Sequence, residues 1–407
     1  MPQLRSPRIV LALMLSVNLL NYIDRQVLYA VFPLIKADFG LTDTALGFLG
    51  SAFMLCYMLS APVLGLLASR AGRTAIASAG VAVWSLATVF SGFTAGYRTL
   101  LAARTVVGIG EASFGTVAPG LLADFFPKEK RGSIISRFYL AIPVGSALGY
   151  LMGGFIGQRL GWQAAFLLVG IPGLILAAPV WFLHEPQTCC NANGTSAEPV
   201  TSDYALFARN RSFIITTLAM AAMTFAMGGL AQWAPTFLCR MHNLDVERAN
   251  TIFGAITVVS GIIGTLAGGV LGDRLQRRSA SGYLIVSGWG FVAGVPMLAL
   301  AIISHSLTGC LAAIFIAETL LFLNTGPLNT VILNVVPPEM RAMAFAVNIF
   351  FIHALGDAVS PTLLGKISDL TNLRTALLIT PVAVVIAALF CFWGRRFIET
   401  DMAAVAE

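Results

Sequence analysis

Apolar runs of about twenty residues recur along the whole chain, separated by short polar joints. This pattern leaves few options. About 20 apolar residues let a helix cross a hydrocarbon layer of about 30 Å, and in lipid only a helix or a closed barrel satisfies its own backbone. A soluble fold could not hide such runs, because surface-to-volume scaling leaves much of any fold wet. Charged residues make up 11% of the 407, against about 25% in ordinary soluble domains. A soluble enzyme, a nucleic-acid binder and a disordered chain are thereby excluded. With short joints, the length accommodates roughly twelve membrane helices and no large extramembrane domain.

The spans are read at roughly 10–35, 45–68, 75–95, 99–125, 131–157, 163–183, 212–238, 248–272, 281–303, 308–336, 340–365 and 373–396. The longest polar stretch, His184 to Arg211, contains Glu185-Pro186, Asn193-Gly-Thr195 and Pro199, which is linker chemistry. It divides the spans six and six. The expected domains are a bundle over 1–183, a cytoplasmic loop over 184–211 and a second bundle over 212–407. Arg5 and Arg8 precede an apolar run that continues without a small-residue cleavage site, so this is read as the first span and not a removable signal.

The basic residues test this topology. With a cytoplasmic N-terminus, sixteen fall on the cytoplasmic side and seven outside, while Arg25 and Arg104 lie within spans. The bias obeys the positive-inside rule with both termini cytoplasmic. The net charge of +6 is explained by this retention. Of six cysteines, Cys56, Cys239, Cys310 and Cys391 lie in apolar runs, and Cys189 and Cys190 are adjacent in the linker. No spacing suggests a metal site or a disulfide framework.

The halves echo each other. Gly65-Leu-Leu-Ala-Ser-Arg70-Ala-Gly-Arg73 follows the second span, and Gly268-Gly-Val-Leu-Gly-Asp-Arg274-Leu-Gln-Arg277-Arg278 follows the eighth. Phe126-Pro-Lys-Glu-Lys-Arg131 after the fourth span is matched by Val336-Pro-Pro-Glu-Met-Arg341 after the tenth. Two parallel six-helix repeats are an architecture of secondary transporters, with substrate near the midplane.

These residues resemble the major facilitator superfamily, whose Gly-x-Leu-x-Asp-Arg-x-Gly-Arg-Arg/Lys signature the two loops follow. The second copy keeps Asp273 and Arg274, while Ser69 stands where the family usually has Asp. Within the superfamily, three strings together resemble the spinster family: Asn21-Tyr-Ile-Asp-Arg25, Arg104-Thr-Val-Val-Gly-Ile-Gly-Glu-Ala-Ser113 and Phe138-Tyr-Leu-Ala-Ile-Pro-Val-Gly-Ser-Ala-Leu-Gly-Tyr150. The resemblance implies an all-α membrane protein with the major facilitator fold. It also implies transport of lysophospholipid-like or sphingolipid-like amphiphiles, often with proton coupling. The first string is also similar to one in organic-anion symporters, which keeps transport of small organic anions such as sugar acids as the alternative.

An ionisable group at mid-membrane costs at least about 2.5–3.5 kcal/mol, so each is a functional candidate. Asp24, Arg25, Arg104, Glu111, Glu318 and Asp357 lie well within spans. Asn18, Asn21 and Arg25 share one helical stripe, and Arg104 and Glu111 are two turns apart on one face. If these helices meet, two acids and two bases form one cluster. Guanidinium keeps a neighbouring carboxylate ionised while desolvation favours its proton. Asp24 and Glu111 are therefore expected to couple protons. Arg25 and Arg104 would hold them or grip an anionic headgroup. A permanently paired network that fixes packing is the competing reading. Glu318, 207 residues after Glu111, is the expected repeat counterpart, and Asp357 shares a face with His353.

Tyr139, Gln232 and Asn348 are candidate cavity residues. Pro143, Gly145 and Gly149 suit a gating helix or close packing, and Arg70, Arg73, Asp273 and Arg274 a cytoplasmic closure. No phosphate-binding loop and no nucleophile–base spacing is present, so the chain is read as neither an ATP-driven pump nor an enzyme. The expected partners are an amphiphilic or anionic small molecule and membrane lipid, not nucleic acid. Protons are the expected coupling ion with no cofactor, and a monomer in a bacterial inner membrane is the expected setting.

Overall fold

The computed structural model describes residues 6–126, 134, 137–183, 204–337 and 340–406. Cys189, Cys190, the Asn193 turn, most of the 184–211 joint, Lys128, Lys130 and Arg131 lie outside the described residues. Eighteen α-helices follow in order among those described: α1 (Pro7–Ala30), α2 (Phe32–Phe39), α3 (Asp43–Ala71), α4 (Arg73–Ser91), α5 (Tyr97–Asp124), α6 (Ala141–Leu160), α7 (Trp162–Trp181), α8 (Tyr204–Arg209), α9 (Arg211–His242), α10 (Val246–Gln276), α11 (Gly282–Ile303), α12 (Leu307–Phe322), α13 (Thr325–Asn334), α14 (Arg341–Ile352), α15 (Ser360–Leu370), α16 (Leu373–Leu377), α17 (Ile379–Gly394) and α18 (Ile398–Ala406). A π-helical turn, His353–Asp357, joins α14 to α15.

Eleven helical segments among the described residues are long and apolar enough to cross a membrane. The polar α1, carrying Asn18, Asn21, Asp24 and Arg25, brings the count to twelve. Helix ends follow local chemistry. Thr42 accepts from the Ala45 amide to start α3, and Gly72 and Gly161, at φ 94° and 88°, turn the chain where an L side chain would be strained.

The expected span 10–35 is two helices, and the expected spans 308–336, 340–365 and 373–396 are each interrupted. A proline lies just past each break. Pro33, Pro327, Pro361 and Pro381 lack the N–H that would bond the carbonyl four residues earlier, at Tyr29, Leu323, Asp357 and Leu377. Breaks fall at Val31, at Leu323–Asn324, in the π turn and at Leu378. Within that π turn Gly356 takes φ −100° and ψ −105°, and its backbone lies against Thr224 and Ala221 of α9.

The chain divides into two compact units, Met1–Ser196 with Gln232–Ala255, and Ala197–Ala231 with Ile256–Glu407. In the first, α1 lies along α6, α3 packs on α5, and α4 packs on α5 and α7. Gly145, Gly149 and Gly153 of α6 face Leu19–Tyr22, Ile23–Gln26 and Val27–Ala30 of α1, so this stripe brings two backbones together. In the second unit, α11 packs against α12 and α17.

Candidate functional site

Four charged side chains meet inside the first unit. Asp24 lies one helical turn above Asn21 on α1 and is fully buried. Its Oδ1 accepts from Arg104 Nη1 at 2.9 Å, and its Oδ2 from the hydroxyl of Thr88 on α4. Arg104, on α5, is 1% exposed. Two turns further along α5, Glu111 is 0% exposed, and its Oε2 accepts from Arg25 Nε at 2.7 Å. Two acids and two bases cancel, so the cluster has no net charge. Pairing offsets the large desolvation penalty that each of these charges would carry alone in hydrocarbon.

The two pairs differ. Asp24 and Arg104 are sealed, with side chains 2% and 1% exposed. The Arg25 side chain is 14% exposed, and its guanidinium carbon lies 5.1, 5.2 and 4.9 Å from the rings of Tyr22, Phe53 and Tyr57. Aromatic faces attract a guanidinium and shield it from lipid without discharging it. Oε1 of Glu111 is buried and has no hydrogen-bond partner among the described residues.

The glycines of α5 serve helix approach. A Cβ on Gly108 would strike the Phe53 carbonyl of α3, and one on Gly110 the backbone of Trp84 on α4. The close approach at Gly108 sets Phe53 beside both guanidiniums, since Arg104 also lies 5.5 Å from that ring.

The other candidates are distributed. Asn21 is buried on α1, and Asn18 beside it donates to the Phe138 carbonyl at 2.8 Å. Tyr139 is half-exposed next to Phe138, edge to face at 5.6 Å. The amide of Gln232 is buried against Gly50. Pro143 opens α6 ahead of its glycine stripe. Arg73 pairs with Asp124 at 2.7 Å, tying the start of α4 to the end of α5, while Arg70 is exposed.

In the second unit, Glu318 of α12 is buried, its oxygens accepting from Thr257 at 3.2 Å and Ser260 at 2.9 Å on α10. Asp357 binds His353 Nδ1 at 2.8 Å within the π turn, and Gly228 of α9 lies against its Cβ. Asn348 is buried with its Oδ1 unpartnered among the described residues. Asp273 accepts from the Tyr283 hydroxyl at 2.8 Å, and Arg274 is exposed.

Comparison with known proteins decides the family. The profile of the Major Facilitator Superfamily matches residues 14–361. Protein spinster homolog 3 of Danio rerio is 34% identical over 98% of this chain and 87% of its own. Sphingosine-1-phosphate transporter SPNS2 of Mus musculus is 34% identical over 96% of this chain and 77% of its own. The chain belongs to the spinster family of the Major Facilitator Superfamily.

Among solved structures, a bacterial homolog of the human lysosomal transporter spinster, inward-facing and unoccupied, superposes with TM-score 0.87 at 25% identity, over 97% of this chain and 98% of that one. A D-xylose–proton symporter, 17% identical over 95% and 98% of the two chains, shares the fold with TM-score 0.77. This spinster-family protein is thus a multi-pass membrane transporter and not an enzyme. Sequence reasoning missed the ligands that shape its cluster: Thr88, Phe53 and Tyr57. Only Tyr22, one turn before Arg25, was within reach of a helical-spacing argument. It also missed that Glu318, though placed like Glu111 in the repeat, meets hydroxyls from α10 rather than a guanidinium.

Proposed function

We propose that this transporter moves lysolipid-like or sphingolipid-like amphiphiles with an anionic headgroup, in symport with protons, by alternating access of the 1–183 and 212–407 bundles linked through 184–211. One observation carries the reading: Glu111 is fully buried with Oε2 on Arg25 and Oε1 on nothing among the described residues. Arg25 is the partly exposed member of the cluster. A phosphate or carboxylate headgroup competes with Glu111 for that guanidinium, which offers a planar, bidentate fork. When the headgroup wins, an ionised Glu111 is left unpaired in hydrocarbon, where the neutral acid costs far less. Glu111 then takes a proton on the free oxygen. The sealed Asp24–Arg104–Thr88 set holds α1, α4 and α5 in register, so Arg25 swings against a fixed frame.

The relatives named for spinster and for sphingosine-1-phosphate transport support the substrate class. The basic-residue count above supports cytoplasmic termini; a monomer in a bacterial inner membrane is the working unit proposed with them. The test is purified protein in liposomes under an imposed pH gradient, offered a lysophospholipid and a sugar acid in parallel. Lysolipid moves with the gradient, Arg25→Gln loses substrate affinity, and Glu111→Gln keeps binding but loses the response to pH. Movement of the sugar acid alone, or gradient-driven transport by Glu111→Gln at wild-type rates, defeats the proposal.

A further inference from the structure

A cavity of about 670 Å³ lies in the second unit, lined by none of the residues of the α1–α5 cluster, and within the size range of ligand pockets of about 300–1,000 Å³. Its floor is apolar: Leu271 and Leu275 of α10, Ile285 and Trp289 of α11, and Leu320 of α12. Arg274, Arg277 and Arg278 line it at the end of α10, where the chain leaves the span. The turn that carries them is fixed. The Arg277 amide bonds the Asp273 carbonyl at 3.3 Å, and the Arg278 and Ser279 amides bond Leu275 at 2.9 and 3.0 Å. A Cβ on Gly282 would strike the backbone of Gln276, so the two helices close tightly beneath the turn.

Charge and shape here match a single ligand chemistry. Three exposed guanidiniums stand together, and none has an ion-pair partner among the described residues. The nearest acid in sequence, Asp273, is held by the Tyr283 hydroxyl. Retention of positive charge on one side of the membrane accounts for three arginines in a loop. It does not account for a cavity beneath them. Trp289 is 61% exposed, yet its ring is fixed from behind by Phe392, edge to face at 5.6 Å. An aromatic wall about two helical turns along α11 from a basic rim is amphipathic in the sense of a phospholipid: phosphate at the arginines, acyl chain along Trp289, Ile285 and Leu320. The geometry points to a bound anionic membrane phospholipid at this site, separate from transported substrate. Basic pockets at helix ends take acidic lipid headgroups in this way, each arginine adding to the attraction.

The test uses the full-length protein in nanodiscs with the acyl chains of one lipid brominated, so that tryptophan near the chain is quenched. The chain has six tryptophans, and the difference between wild type and Trp289→Phe isolates the relevant one. Brominated phosphatidylglycerol is compared with brominated phosphatidylcholine over a range of mole fractions. The Trp289 signal is half-quenched by phosphatidylglycerol at about tenfold lower mole fraction than by phosphatidylcholine. This preference falls to near unity in Arg274→Gln/Arg277→Gln/Arg278→Gln. Raising the salt concentration weakens it in the wild type, a measurement that holds even where the triple variant does not fold. Equal quenching by both lipids, meaning ordinary surrounding lipid, overturns the proposal. So does a preference that survives both the triple variant and salt. Release of phosphatidylglycerol by inorganic phosphate at matched ionic strength also overturns it, because it would make this a site for soluble anions.

Discussion

Asp24→Asn separates a structural pair from a working one. The variant keeps an acceptor for Thr88 and nearly the same volume, so it removes little except charge. At the 2.9 Å separation of Arg104 Nη1 and Asp24 Oδ1, and an effective dielectric of about 20, the attraction is about 6 kcal/mol. Desolvating the two ions offsets most of it, so the intact pair contributes little net stability. Removing one partner is different, because Arg104 then remains charged, 1% exposed and without a counterion. The expected loss is about 3–5 kcal/mol. Arg104→Gln should lose a similar amount, while the double variant should lose less than the two singles summed, by about 2–3 kcal/mol. Glu111→Gln should lose only about 1–2 kcal/mol. Arg25 keeps three aromatic faces and partial exposure when its carboxylate goes. The assay is equilibrium unfolding in mixed micelles followed by tryptophan fluorescence. If Asp24→Asn is no more damaging than Glu111→Gln, or if the two single losses simply add, the division into a sealed frame and a mobile pair is wrong.

Two further outcomes follow from the first unit. Gly108→Val should cost several kcal/mol or abolish expression, because its side chain meets the Phe53 carbonyl rather than a movable side-chain tip, while Gly120→Ala, with open space around it, should be neutral. At the far end of α3, Asp43 accepts from Arg240 at 2.6 and 2.7 Å and from Lys36 at 2.5 Å. Arg240→Gln should therefore lower stability by about 1.5–3 kcal/mol and Lys36→Gln by less, read by the same unfolding assay. A larger loss from Lys36→Gln would contradict the bidentate geometry.

Much of the fold is legible in residue order. Apolar length gives the spans and the arginine alternation their number. The paired Gly-and-Arg loops give the repeat. Asp24, Arg25, Arg104 and Glu111 stand out because a charge in an apolar run is expensive wherever that run folds. Proline was the least well-used signal. Pro62, Pro119 and Pro296 sit inside unbroken helices, whereas Pro33, Pro327, Pro361 and Pro381 fall at breaks. The missing N–H is common to both groups, and residue order alone did not tell them apart.

What the sequence determined by itself, then, is the solvent, the helix count, the repeat and the identity of the costly charges. Each of these is a one-dimensional quantity: a run length, an offset or a residue type. Which carboxylate meets which guanidinium is not. Asp24 is adjacent to Arg25 in the chain, yet its partner is Arg104, because successive residues on a helix point about 100° apart and α5 supplies the cation on Asp24's side. Glu111 and Glu318 occupy matching places in the repeat, yet one faces a caged arginine and the other two hydroxyls. The neighbour that decides a buried acid's chemistry comes from a different helix, and only packing brings it there.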